Sequence, residues 1–210
     1  MKMKKFELGS LVKVHEEFKN VPGNKIYNLA RFITQEGGIS NQICGAFILL
    51  ATWNKQRFKI VKDYDALKDS IELAFENSKP SFYRLENERL ETANLDAIQN
   101  DVIEIYSRFS KIRGVEYTGA SKVMSINNTN LFVMWDKYIR DKYGFGESAE
   151  EYARFLKECQ WATNETKWQH NSVSLAKAID EYNYFHISLP AAQKSREEQK
   201  KHKINRTKKK

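Results

Sequence analysis

The sequence predicts an all-α fold, and three observations support this prediction. Apolar residues recur at intervals of three and four along most of the chain, whereas the apolar and polar alternation typical of strands is nearly absent. Only 9 Gly and 3 Pro interrupt the 210 residues. Hydrophobic residues make up 41% of the chain, which supports a globular core and excludes collagen-like and wholly disordered classes.

Glycine, proline and capping residues delimit the predicted helices in the first half of the chain. Gly37-Gly38 is a stop signal, after which Ser40 can cap an apolar helix. A third helix should end near Pro80, because the residue before a proline disfavours helical geometry. The fourth has apolar side chains at the 3,4 spacing and is the clearest amphipathic helix. These predicted helices are residues 25–35, 40–53, 65–77 and 95–111.

Similar signals divide the second half. Gly114 interrupts the helical pattern, Asn127-Asn128 marks a loop, and Ser148 followed by two glutamates opens a helix. Pro190 follows the last helical segment. The predicted helices here are residues 118–126, one that begins at Asp136, then 148–160 and 172–184.

Positive charge is concentrated at the C-terminal end. Residues 194–210 contain nine Lys or Arg and two Glu, and residues 1–5 contain three Lys, which leaves 23 basic and 25 acidic residues for positions 6–193. We therefore predict a helical domain over residues 1–193 and a disordered basic tail over 194–210, since the tail has too few apolar residues to offset its ordering entropy. The tail could bind nucleic-acid phosphates, or it could be a solubilising or targeting extension.

Cysteine usage and hydropathy exclude several classes of protein. Cys44 and Cys159 lie 115 positions apart without a CxxC motif or a Cys/His cluster, so we expect no metal site and no disulfide framework. The longest apolar run, residues 46–53, is too short to span a membrane. We expect an intracellular monomer, in the cytoplasm, nucleoid or nucleus.

The most informative segment is residues 112–145, in which a Gly-Val turn between two helices is followed by an aspartate that opens a later helix. This segment resembles the helix-hairpin-helix DNA glycosylase superfamily. The resemblance covers about one-sixth of the chain, and 22 residues separate Gly114 from Asp136, as in that superfamily. The matching residues are Ile112, Gly114, Val115 and Ala120 at the hairpin, then Asp136, Ile139, Arg140, Gly144 and Phe145 downstream.

The resemblance implies a two-lobed helical fold with a cleft between the lobes, a hairpin over about residues 105–126, and an enzyme that excises a flipped damaged base from DNA. It also implies that the hairpin binds the DNA backbone, with a K⁺ or Na⁺ ion between its carbonyls and a phosphate and no other cofactor. A helix N-terminus suits an anion, because its first N–H groups lack intrahelical partners. The implied DNA-binding residues are Gly114, Val115, Tyr117, Thr118, Gly119 and Lys122.

Asp136 and Lys122 are the candidate catalytic residues. By resemblance, Asp136 would stabilise positive charge developing on the deoxyribose, although aspartate is also a common N-cap. Thr118 stands where lyase-active members have a nucleophilic lysine, which favours a monofunctional enzyme. Lys122 lies one helical turn further and could reach the same site, or it could be a solvated or phosphate-binding lysine.

A flipped base needs aromatic or apolar walls. Trp53, Trp135 and Tyr138 are candidates, as are Trp161 and Trp168, although each could equally be a core residue. Glu116 departs from the superfamily pattern, which has a second glycine at this position. Together with the missing lysine, Glu116 favours a second hypothesis, a nucleic-acid-binding module that keeps the hairpin but has no catalytic activity.

Overall fold

The computed structural model describes residues 3–163, 168, 170 and 173–207. This part of the chain is all-α, as predicted, and contains no strand. None of its helices is both long enough and apolar enough to cross a bilayer. The helices are α1 (Leu8–Phe18), α2 (Pro22–Gln35), α3 (Ile39–Trp53), α4 (Lys55–Phe58), α5 (Tyr64–Arg84), α6 (Gln99–Ser110), α7 (Glu116–Asn127), α8 (Lys137–Tyr143), α9 (Ala149–Thr163), α10 (Leu175–Asn183), a π-helical turn (Tyr184–Ser188) and α11 (Leu189–Thr207).

The main core contains a cluster of aromatic side chains contributed by α6, α9 and the segment before α8. Trp135 is 1% exposed, and its indole Nε1 donates a hydrogen bond of 3.0 Å to the hydroxyl of Tyr106. Tyr152 stacks on Tyr106 and donates a 3.0 Å hydrogen bond to the carbonyl of Val133. These contacts fix the backbone immediately before Asp136.

A smaller cluster of buried residues joins α2 and α3 to the end of α7. It contains Tyr27, Ala30, Leu49, Ile126 and Met134. The two helices approach closely at Gly45, where an added Cβ would lie 2.0 Å from the Thr34 hydroxyl oxygen. Since Val123 and Met124 of α7 pack in the main core, this helix links the two clusters.

The structure corrects the predicted end of one helix. The sequence predicted that a helix ends near Pro80, but α5 continues through Pro80 to Arg84. A proline inside a helix removes one backbone hydrogen bond. Contacts with α6 support the last turn of α5, because the Ser81 hydroxyl lies 2.8 Å from an Asp101 oxygen and 2.9 Å from a Glu104 oxygen and can donate to either. The structure also contains α1, which the sequence analysis did not identify.

Near the C-terminus the structure has a helix where the sequence predicted a disordered tail. Helix α11 follows the π-helical turn and includes most of residues 194–210. Pro190 is the second residue of α11 and directly follows the π-helical turn, so its missing N–H falls where the helical hydrogen-bond pattern changes. Lys, Arg, Gln and Glu also have high helix propensity, which favours helix wherever a stable turn precedes them.

Candidate functional site

Residues 111–115 connect α6 to α7 in a tight turn. Gly114 has a φ of +95°, and an added Cβ would lie 2.4 Å from Cγ2 of Val61. The turn therefore requires glycine, because a side chain would disfavour this backbone conformation and would clash with Val61. The N–H groups of Val115 and Glu116 both donate to the Ile112 carbonyl, at 3.1 and 3.0 Å. The remaining donors for an anion are therefore the N–H groups of Tyr117 and Thr118 in the first turn of α7.

The hairpin residues that were predicted to bind DNA differ in exposure. Val115 is fully buried, and a Cβ on Gly119 would lie 2.9 Å from a methyl of Leu50, so both residues position the turn rather than present side chains. Tyr117 is 37% exposed, and Thr118 is partly exposed. The side chains available at this end of α7 are those of Tyr117 and Thr118.

Polar side chains from the end of α3 and from α4 support the turn. The Asn54 amide donates to the carbonyls of Gly114 and Val115 at 3.1 and 2.9 Å. These two hairpin carbonyls therefore already have a hydrogen-bond partner. Glu116 forms an ion pair with Arg57, so the negative charge that breaks the superfamily pattern is compensated locally.

Three basic residues near the turn were not singled out in the sequence. Lys62, Lys111 and Arg113 are exposed and line a surface cavity of about 480 Å³ next to the turn. Lys62 comes from the segment before α5, some fifty positions from Arg113 in the chain. The fold brings Lys62 next to Lys111 and Arg113, which are already close in the sequence.

A second candidate site lies where α7, α8, α10 and α11 meet. It is a cavity of about 470 Å³, here called the Lys122–Asp136 cavity. Both candidate catalytic residues line it, and so do all three aromatic residues of the predicted base pocket: Trp53, Trp135 and Tyr138. The remaining walls include Phe18, Asp180, Tyr184 and Arg196.

Asp136 is held at the N-terminus of α8. Its carboxylate accepts a 3.0 Å hydrogen bond from the N–H of Ile139, which is the N-cap arrangement that the sequence offered as one alternative. Ser121 of α7 exchanges two 3.2 Å hydrogen bonds with the backbone of Trp135, so α7 is tied to the residue before Asp136. Asp136 both caps α8 and lines the cavity, because its side chain remains partly exposed.

Lys122 is 8% exposed and donates a hydrogen bond to the carbonyl of Trp53. Burial lowers the pKa of its amine to about 8, against the weaker opposing effects of the Asp136 and Asp180 carboxylates. About a tenth of the amine is therefore neutral at pH 7. A buried lysine with a lowered pKa that lines a cavity can act as a nucleophile or a base.

Thr118 and Lys122 have different surroundings although they lie one turn apart on α7. The Thr118 hydroxyl faces Arg140, at 3.4 Å from Nη1. Arg140 is buried, and it also donates a 2.8 Å hydrogen bond to Glu147. Lys122, in contrast, lines the cavity that contains Asp136.

The predicted aromatic residues fall into two groups. Trp53 is partly exposed and stacks on Tyr27 with ring centroids 5.8 Å apart, and Tyr138 is also partly exposed. These two can present a ring to a ligand, whereas Trp135 is a core residue. Trp161 lies next to Lys5, and the Trp168 indole donates to the Val173 carbonyl, so neither is part of the cavity wall.

Among the described residues, no group of three His, Cys, Asp or Glu side chains is arranged to hold a metal ion. Comparison of the chain with models of protein families, with curated proteins and with solved structures finds no match. The functional interpretation therefore depends on the cavity and its residues.

Proposed function

We propose that the protein is a DNA N-glycosylase that excises a damaged base flipped into the Lys122–Asp136 cavity. The observation that carries this proposal is that a carboxylate and a buried amine line one cavity with two accessible aromatic rings. A volume of about 470 Å³ lies in the range of small-molecule pockets. An extruded nucleotide needs such a space, with aromatic walls for stacking.

Asp136 would act on the sugar. As the bond between C1′ and the base nitrogen breaks, the base leaves with the electron pair and positive charge develops on the deoxyribose. A fixed carboxylate stabilises that charge, and it can accept a proton from a water that attacks C1′. The N-cap hydrogen bond from Ile139 would hold the carboxylate in place during this step.

Lys122 would add an amine nucleophile to the same cavity. Its neutral amine would form a bond to C1′ as the base leaves, and its nitrogen would then lose a proton. Opening of the sugar ring would give an iminium (Schiff base) that borohydride reduces to a stable link. Burial and the lowered pKa of Lys122 support this role. Lys122 would then replace water as the nucleophile at C1′, and the enzyme would not be the monofunctional one expected from Thr118.

Binding of the DNA backbone would use the turn between α6 and α7. Two N–H groups at the start of α7 and the exposed cations Lys62, Lys111 and Arg113 can contact phosphates without reading the base sequence. The basic residues of 194–210 would add an attraction that depends on salt concentration. The partner would be duplex DNA, bound by a monomer.

A second candidate function is a binding module without catalysis. It is favoured by Glu116 and Thr118, which stand where the superfamily has a second glycine and a nucleophilic lysine, and by the N-cap hydrogen bond that gives Asp136 a structural role. In this alternative the same surface contacts nucleic acid, and Asp136 serves only as the N-cap of α8.

The test is a panel of duplexes that contain oxidised, alkylated, deaminated or mismatched bases. We expect the wild-type protein to release at least one class of base. Asp136→Asn should reduce release by about 100-fold or more, since it removes a charge but keeps a good N-cap. Asp141→Asn, an exposed position on α8, is the matched control and should have no effect.

Duplex affinity of Asp136→Asn should stay within about twofold of the wild-type value. Release that is unchanged in Asp136→Asn would contradict the proposed role of this residue. Binding of all duplexes without release of any base would favour the non-catalytic module.

A further inference from the structure

A second cavity, of about 460 Å³, lies between α1, α2 and α10. We call it the Arg31 cavity. Helix α10 contributes Lys177 and Glu181 to this cavity and Asp180 to the Lys122–Asp136 cavity, so one helix forms part of both walls. The ammonium of Lys177 also lies 4.0 Å from the ring centroid of Tyr27 and 5.7 Å from that of Trp53.

The wall of the Arg31 cavity is rich in cations and amides. Its only carboxylate among the described lining residues is that of Glu181. The amides of Asn24 and Asn28 lie one turn apart on α2, next to Arg31. The cationic lining residues are Lys19, Arg31, Arg89 and Lys177.

Three of the four cations have a carboxylate partner. Lys19 pairs with Glu16 at 2.7 Å, Arg89 with Glu91 at 2.8 Å, and Lys177 with Asp180 at 2.7 Å. The exception is Arg31, which forms no ion pair within the part of the chain that the structure describes, and its buried Nε has no hydrogen-bond partner there. Leaving a buried donor of a charged group unpaired is costly. An anion bound next to Arg31 would remove that cost.

Glu181 does not make the cavity wall negative at neutral pH. Its carboxyl lies 2.7 Å from Nδ1 of His15. Burial raises the pKa of Glu181 to about 8 and lowers the pKa of His15. The Glu181 carboxyl also lies 3.8 Å from the Lys177 ammonium, so a negative charge on it is offset within the wall.

We propose that the Arg31 cavity binds a phosphate group, either that of a mononucleotide or that of a nucleic-acid backbone. A guanidinium binds two phosphate oxygens at once, which matches the fixed fork of Arg31. Lys19 and Arg89 add positive charge, and the Asn24 and Asn28 amides can donate further hydrogen bonds. The site does not require the chemistry proposed for Lys122 and Asp136, and it can be tested without turnover.

The experiment measures binding of four compounds to the full chain by calorimetry. They are dAMP, deoxyadenosine, succinate and an unphosphorylated oligothymidylate, which contains only phosphodiesters. We expect dAMP or the oligonucleotide to bind at least tenfold more tightly than deoxyadenosine and succinate. Tighter binding of dAMP would identify a mononucleotide as the source of the phosphate, and tighter binding of the oligonucleotide would identify the nucleic-acid backbone.

The variant Arg31→Gln should weaken binding of the preferred compound at least tenfold, and Arg31→Lys should weaken it less. Lys25→Gln, which removes an exposed charge from the same helix, is the matched control and should change affinity less than twofold. Thermal unfolding of each variant checks that it folds. Equal affinity for dAMP and deoxyadenosine, binding of succinate as tight as that of dAMP, or no effect of Arg31→Gln would overturn the proposal.

Discussion

The buried amine of Lys122 leads to a quantitative expectation about covalent trapping. With a pKa of about 8, the neutral fraction at pH 7 is about 9%, whereas an ordinary lysine with a pKa near 10.5 would be about 0.03% neutral. The reactive form of Lys122 is therefore about 300-fold more abundant than that of a surface lysine. Below pH 8 its abundance falls about tenfold for each pH unit.

The assay is borohydride trapping of the protein on a duplex that contains an abasic site, at pH 6 to 10. We expect the trapping rate to rise about tenfold between pH 6 and 7 and to level off above about pH 8. Lys122→Met should remove the adduct, and the control Lys137→Gln, at an exposed position beside Asp136, should retain it. A rate that keeps rising to pH 10 would refute the lowered pKa, and no adduct at any pH would refute the nucleophile.

Stability supplies an independent check on the same group. Because the folded-state pKa of Lys122 lies below the unfolded value, the charged amine costs the folded protein about 3 kcal/mol, and this cost is fully present below pH 8. The cost is lost as pH rises from about 8 to 10.5. The free energy of unfolding of the wild type should therefore rise relative to that of Lys122→Met over this range, as measured by urea denaturation.

Two further predictions concern packing and charge. Gly45→Ala should destabilise the fold by about 1–3 kcal/mol in urea unfolding, because its Cβ would lie 2.6 Å from the Ala30 carbonyl, whereas Gly9→Ala, with no heavy atom within 4 Å, should be neutral or stabilising. Equal effects of the two substitutions would contradict the packing described for α2 and α3. Deletion of residues 194–210 should lower duplex affinity and reduce the slope of log K against log salt by several units, since it removes nine basic residues. An unchanged slope would show that the tail does not contact phosphate.

The sequence was sufficient to predict the helical class, the turn at Gly114 and the position of Asp136 at a helix N-terminus. These features depend on local signals: apolar spacing, a glycine with positive φ and a capping carboxylate. The prediction from local signals that a helix ends near Pro80 was wrong. Contacts between Ser81 and α6 support the continuation of α5 beyond the proline.

What the sequence could not predict depends on residues that are distant in the chain. The proximity of Lys122 to the Trp53 carbonyl joins positions 69 apart, and the support of the turn by Asn54 joins positions 60 apart. The Arg31 cavity combines α1, α2 and α10, and no residue of it has a distinctive local pattern. Such sites become visible only when the packing of the helices is known.

The π-helical turn before α11 has a consequence for how the basic tail is attached. Leu189, Ala192 and Arg196 line the Lys122–Asp136 cavity, and the same helix continues to Thr207, about 16 Å beyond Arg196. Most of the tail thus forms a helical arm whose first two turns line the cavity. Because α10, the π-helical turn and α11 follow one another without a break, a shift of the turn would move the basic arm and the cavity wall together.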